Sequence, residues 1–398
     1  MIFLIQAFSF AENLCPLAKN RAGDETHVYL ATIAGTSAPW STFSHSTLWL
    51  SNGLQDTDES YNWGTFNPNQ PNLLASFLNG TMTYWLNVEP YTRDRHRFTR
   101  LEDRTMKVQR LYLPPTAIEH LKELLEEERK PENKAFAYDW ATQSCATKIR
   151  DRLNTVLNNQ LYEQLQNPSK RSMRQEGLRY LHHVPYLWFL WDRSISYDAD
   201  QKTTQWNTMF SPYMLSQSLD QIDVLWPDGK KRKLVPYSCT YDRKWAFPPE
   251  NPPDHRLNLL CIGLFSSGVA AALRLNNRAI RTFSFVYLFL FSSVLGLVGV
   301  GHALLWFSAL SSLHPNGNSL ISGPQVLFWI PMSWFLYKKT QCPNALKWAV
   351  TISSICAIAY AFFELFFGLQ DNDAQLALFI PIHITALWLL RKNSTPYR

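Results

Sequence analysis

Cys145 stands in the stretch "DWATQSCATKIRDRL", residues 139–153. Behind it Ile149, Leu153, Val156 and Leu157 recur at helical spacing, and Ser144 ahead of it is a good N-cap residue. The pattern puts Cys145 in the first turn of a helix. There the unpaired backbone N–H groups and the helix dipole favour an anion, so a thiol tends to lose its proton and become a nucleophile. The bland alternative is a small buried cysteine. A nucleophilic cysteine needs a base for its proton and a polar group to orient that base. His45 is the candidate base and Asn62, in "YNWGTF", the candidate orienter. His96, His120, His182 and His183 are rivals, and His120 and the 182–183 pair sit in helical, charged or aromatic surroundings. No H-E-x-x-H or paired C-x-x-C spacing occurs, and there is neither a Gly-rich phosphate loop nor a serine elbow. No metal or cofactor is therefore expected.

The elements that must hold these residues read as strands followed by two helices. "THVYLATIAG" and "STLWLSN" alternate and are rich in β-branched and aromatic residues, with the turn-rich "GTSAPWSTFSH" between them. His45 thus lies at the mouth of a strand. "YNWGTF", "GTMTYWLNV" and "TMKVQRLYL" read as further strands. "TAIEHLKELLEEERK" is a helix with Ile118, Leu121, Leu124 and Leu125 on one face, and the cysteine helix comes next.

With 398 residues the chain has room for two domains, and charge divides them. Beyond Leu257 the basic residues fall into three clusters: Arg274, Arg278 and Arg281; Lys338, Lys339 and Lys347; Arg391, Lys392 and Arg398. Five apolar stretches, near 257–273, 283–310, 320–337, 348–368 and 374–390, are each about long enough to cross a bilayer core of roughly 30 Å. Basic loops belong in the cytoplasm. Five spans then put the C-terminal tail, 391–398, inside and residues 12–256 outside. "MIFLIQAFSFAEN" suits signal-peptidase cleavage before Glu12, leaving 1–11 as a signal-peptide remnant, although it lacks a basic n-region. Of six cysteines, Cys15, Cys145 and Cys239 fall in the external domain; Cys15 and Cys239 could pair and leave Cys145 free, but sequence does not say which two pair. Glu364, His302 and His383 are ionisable residues in or near the spans, and His314 lies in an external loop. The "KKRK" run at 230–233 lies in a Pro-rich linker and suits a solvated segment or one resting on anionic headgroups, and no nucleic acid is expected as a partner.

The stretches "THVYLATIAG", "FSHSTLWL", "YNWGTF", "FLNGTMTYWL", "EDRTMKVQRLYL" and "YDWATQSCATKIRDRL" run in order through most of residues 27–153. Together they resemble the Lnb-type lipoprotein N-acyltransferase family of bacterial envelopes, as does "TTQWNTMFSPYML" further on. That family is in turn similar to permuted papain-like (NlpC-like) folds of the lecithin:retinol acyltransferase type. The resemblance implies an α+β external domain followed by a five-helix transmembrane bundle in the inner membrane, with His45 as base and Cys145 as nucleophile. It also implies a membrane phospholipid as acyl donor, an apolipoprotein N-terminus as acceptor and a thioester on Cys145 between them. Tyr61, Arg104 and Arg150 are candidates to contact substrate, the arginines through a phosphate. One departure stands out: the family has Asn ahead of the cysteine, and this chain has Ser144. The alternatives are a periplasmic cysteine peptidase or amidase acting on cell-wall peptides, and a non-catalytic membrane-anchored scaffold.

Overall fold

The computed structural model describes residues 26–52 and 57–392. The chain divides into two compact units. One takes in the described residues up to Pro71, with Met82–Ser169 and Thr204–Pro249; the other takes in Asn72–Thr81, Lys170–Thr203 and Glu250 onward. The expected signal-peptide remnant 1–11, Cys15 and the residues after Lys392 lie outside the described residues.

The first unit is built on a seven-stranded sheet in the order β6-β4-β3-β2-β1-β5-β9. Its strands are β1 (Thr26–Ile33), β2 (His45–Asn52), β3 (Thr57–Thr65), β4 (Thr83–Pro90), β5 (Met106–Leu111), β6 (Ala135–Ala137) and β9 (Tyr237–Tyr241), while β7 (Asp223–Leu225) and β8 (Lys231–Lys233) form a separate ribbon. All pairs in the large sheet are antiparallel. Because side chains alternate along a strand, the sheet has two apolar faces. Val28, Leu30, Leu48, Leu50 and Tyr61 meet α1 (Pro115–Glu128) and α2 (Cys145–Val156) through Leu121, Leu125, Ile149 and Leu153. Tyr29, Ala31, Ile33 and Trp49 point the other way and bury against Tyr91, Phe98 and Met106. The strands and both helices fall where alternation and spacing predict them. Cys239 in β9 is disulfide-bonded and Cys145 is free.

The second unit includes α3 (Met173–Tyr180), α4 (Pro185–Ser194), α5 (Arg256–Ala272), α6 (Arg278–Leu304), α7 (Trp329–Lys338), α8 (Asn344–Phe367) and α9 (Asp373–Lys392). Among the described residues three helices are long and apolar enough to cross a membrane: Arg278–Phe307, Asn344–Phe367 and Asp373–Arg391. Arg256–Ala272 is apolar but shorter. The expected stretch 320–337 is not one helix. Its chain turns through a 3₁₀ segment at Pro324–Phe328 before α7, because Pro324 cannot donate to a helical ladder and Gly323 has no room for a side chain beside the Ser319 carbonyl.

Polar side chains knit the second unit together. Carbonyls at the end of α4 have no helical partners of their own. Asn316 Nδ2 donates to the carbonyls of Arg193, Ser194 and Ile195 at 2.9–3.0 Å, and Gln370 Nε2 to that of Ile195. Arg174 is buried and bonds to Asp200 at 2.7 and 3.0 Å. The Glu364 carboxylate accepts from the Tyr360 hydroxyl at 2.7 Å and the Gln370 N–H at 3.1 Å; His383 bonds Ser354 Oγ and the Ile321 carbonyl; His314 bonds the Ser308 carbonyl. These three ionisable residues are occupied in holding the fold.

Candidate active site

Helix α2 begins as its sequence predicts. Ser144 is extended, its Oγ accepts from the Thr147 N–H, and Thr147 Oγ1 accepts from the Ser144 N–H at 2.7 Å, a reciprocal capping box. Cys145 is the first helical residue. Ile149, Leu153 and Val156 are buried on one face, which anchors the helix start against the sheet. Backbone N–H groups of Ser46, Ala146 and Cys145 itself lie close enough to the sulfur to favour its thiolate. The Ser46 contact is decisive for geometry, because it ties the thiol to the residue next to His45.

His45 opens β2, opposite Ile33 in β1. Its Nε2 lies 2.9 Å from Asn62 Oδ1, which also accepts the Gly64 N–H at 2.8 Å. An amide oxygen can only accept, so Nε2 carries the proton and Nδ1 is left as the basic nitrogen. The β3–β4 register shifts between Asn62 and Thr65, at the place where the chain turns Asn62 toward the imidazole. Phe98 covers the ring from 5.9 Å.

Arg104 is 3 % exposed. Its Nε donates to the Ala34 carbonyl at 2.6 Å, Nη1 pairs with Glu102 at 2.8 Å, and the guanidinium lies 5.2 Å from the Phe98 ring centre. Nη2 is buried with no partner among the described residues. The cation acts electrostatically on both His45 and Cys145, so its free valence suits an incoming anion. Tyr84 and Tyr138, stacked at 4.3 Å, also lie within electrostatic reach of the thiol, with Phe66 stacked on Tyr84 at 4.9 Å. Burial raises both phenols, Tyr138 most, so they stay protonated. This aromatic wall was not foreseen, since its members are spread over three separate segments of chain.

The other two candidates are engaged elsewhere. Arg150 bonds Asp151 at 2.8 Å and lies 4.2 Å over the Trp206 ring. Five residues beyond Cys145, it occupies another face of α2. Tyr61 is neighbour to Asn62 in β3 and so faces the opposite side of the sheet, in the helix-covered core, where its hydroxyl donates to Glu59 at 2.8 Å.

Ionisation differs from the expectation for a helix N-terminus. Burial pushes the Cys145 thiol up to about 11, although the three N–H groups and Arg104 pull it back. Burial, then Arg104, pushes His45 down to about 3 against the Asn62 hydrogen bond. Desolvation outweighs the dipole here. At neutral pH the thiol and the imidazole both rest uncharged. Alkylation of Cys145 by iodoacetamide should accordingly be slow at pH 7 and climb roughly tenfold per pH unit through pH 9. A pre-formed thiolate would instead react fast and at a constant rate from pH 5 to 8, and that profile would overturn the neutral pair.

Among the described residues, no group of three or more His, Cys, Asp or Glu side chains is arranged to hold a metal ion. The arrangement suits acyl transfer: a nucleophile, an oriented base, and backbone donors where an oxyanion would form. Residues 18–178, which hold His45, Asn62, Arg104 and Cys145, match the family described as the Lnb N-terminal periplasmic domain. No curated protein and no solved structure matches the chain. A periplasmic domain on a chain with three helices of membrane-spanning length makes this an inner-membrane protein.

Proposed function

Because its N-terminal part belongs to the Lnb family, we propose that the chain is a lipoprotein N-acyltransferase that works through a thioester on Cys145. The observation that carries this reading is the junction of Cys145 and the His45–Asn62 pair through the Ser46 N–H.

In the first half-reaction Cys145 Sγ attacks an ester carbonyl of a membrane phospholipid as its proton passes to His45 Nδ1. The N–H groups of Ala146 and Ser46 receive the oxyanion. As the tetrahedral intermediate collapses, the C–O bond breaks and His45 returns the proton to the leaving lysophospholipid oxygen. In the second, the α-amino group of a diacylglyceryl-cysteine attacks the thioester and gives its proton to His45; the C–S bond breaks, the amide forms, and the sulfur recovers the proton. Arg104 Nη2 supplies a positive contact for the donor's phosphate. In this reading the external domain is permuted papain-like, with the histidine strand ahead of the cysteine helix. Residues 12–256 are then periplasmic, 257–390 pass the membrane five times with the shorter α5 and the broken 320–337 stretch as the two added passes, and the tail is cytoplasmic. Membrane anchorage brings both lipidic substrates to one thiol.

Incubation of the full-length protein with phospholipid should leave a hydroxylamine-labile acyl mass on Cys145, absent from Cys145→Ala. Adding a diacylglyceryl-cysteine peptide should discharge it onto the peptide amine. An unmodified thiol after incubation would sink the reading.

A further inference from the structure

Arg193, the next-to-last residue of α4, is buried in the second unit with its guanidinium donating to Ser322 Oγ and the Ser322 carbonyl. Phe379 lies beneath it, its ring centre 5.9 Å from the guanidinium carbon. Nε has no partner, and among the described residues no carboxylate pairs with the group. A buried cation without a counter-charge is costly and is rarely kept without a use. The nearest acid in sequence, Asp192, is committed to Arg174 and to Gln375 Nε2.

His302 supplies the second, independent observation. It is 3 % exposed, yet neither ring nitrogen has a hydrogen-bond partner. It lies on the buried face of α6, one turn beyond Gly299, where α6 approaches the Ser322–Gly323 backbone so closely that a Cβ would come within 2.5 Å of the Gly323 oxygen. This is the same Ser322 that holds Arg193, and the Arg193 charge acts on the imidazole. His302 also lies about 36 Å along α6 from Arg278, at the far end of the helix from its basic start. Just beyond it Trp306 and Phe307 are 46 % and 84 % exposed, as aromatic side chains at a headgroup layer are.

The geometry points to a phosphate-binding site formed by Arg193, His302 and Ser322 that takes the phosphodiester of a membrane phospholipid. A phosphodiester is a monoanion, so one guanidinium balances it, whereas an orthophosphate dianion would leave a net charge in an apolar surrounding. Ile321, Val326, Leu378 and Phe379 pack together beside it and offer that surrounding. The site rests on this unit alone and does not depend on the acyl-transfer reading.

Native mass spectrometry of the full-length Cys145→Ala/Arg104→Gln protein, which lacks the phosphate contact proposed for the thiol site, tests it, with phosphatidylethanolamine, dioleoylglycerol or inorganic phosphate added in turn. Phosphatidylethanolamine should remain bound to the parent, and its occupancy should fall at least tenfold in His302→Leu and in Arg193→Gln. Leucine at 302 removes two unsatisfied polar atoms, so this variant is expected to fold even if Arg193→Gln does not. Equal phosphatidylethanolamine occupancy in parent and His302→Leu, or equal retention of dioleoylglycerol and phosphatidylethanolamine by the parent, would overturn the site. Retention of inorganic phosphate in place of the lipid would overturn the phospholipid assignment. Binding is the readout throughout, so failure of acyl transfer leaves this outcome untouched.

Discussion

His45→Ala should slow acylation of Cys145 by phospholipid by about 10²–10⁴-fold, read as the initial rate of the hydroxylamine-labile adduct. The size follows from the resting ionisation. With the thiol held near 11, about one sulfur in 10⁴ is ionised at pH 7, and without an imidazole that fraction is all that can attack. The variant's rate should therefore rise roughly tenfold per pH unit from 7 to 9, because hydroxide does what the base no longer does. The parent should be nearly flat across the same range, since its base is neutral above about 3 and its thiol protonated below about 11. A His45→Ala protein that acylates within threefold of the parent, or shares its flat profile, would remove His45 from the chemistry. Its thermal stability gives an internal check of the imidazole's burial. The unfolded chain takes up a proton near 6.5 and the native state only near 3, so this group destabilises the parent as pH falls between those values. His45→Ala should lose that part of the acid sensitivity.

The pieces of this site that sequence reveals are those governed by local rules. Ser144 as a cap, the 149–153–156 spacing and the alternation around His45 depend on neighbours within one turn or one strand, and each is realised. What it hides depends on residues far apart in the chain. The low basicity of His45 comes from burial and from Arg104, and the high pKa of the thiol from burial that outweighs Arg104, so a helix N-terminus considered alone gives the wrong sign. The surroundings of Tyr61 and Arg150 are hidden for a related reason. Proximity in sequence to Asn62 and Cys145 says nothing of which sheet or helix face a side chain takes, and both turn into packing. The membrane half divides along the same line. Long apolar runs and the helix-breaking Gly323–Pro324 pair are legible locally, but the bond from Arg193 to Ser322, 129 residues away, is not.

Gly64→Ala should slow the proposed acylation almost as severely as His45→Ala, with every ionisable group left in place. A methyl at this position would lie 2.3 Å from His45 Cε1, 3.0 Å from Nδ1 and 3.1 Å from Asn62 Oδ1. The imidazole cannot swing clear without losing its bond to Asn62, and Asn62 cannot retreat without also leaving the Gly64 N–H. Something in the pair must move. A displacement near 1 Å at a reacting nitrogen costs about 10²-fold, so acylation of Cys145 should drop by about that factor while the alkylation rate of the thiol, which needs no base, changes little. Overpacking of this kind also destabilises, by roughly 1–3 kcal/mol, visible as a lower Tm of the full-length protein in detergent. Gly229→Ala is a poor control because its backbone is left-handed at φ 79°, whereas a methyl on Gly268 meets nothing within 4 Å and should leave both readings unchanged. If Gly64→Ala acylates as fast as Gly268→Ala, the Asn62-held imidazole is not the group that takes the thiol proton. If acylation falls but alkylation holds, the base and its orientation, rather than access to the sulfur, limit the reaction.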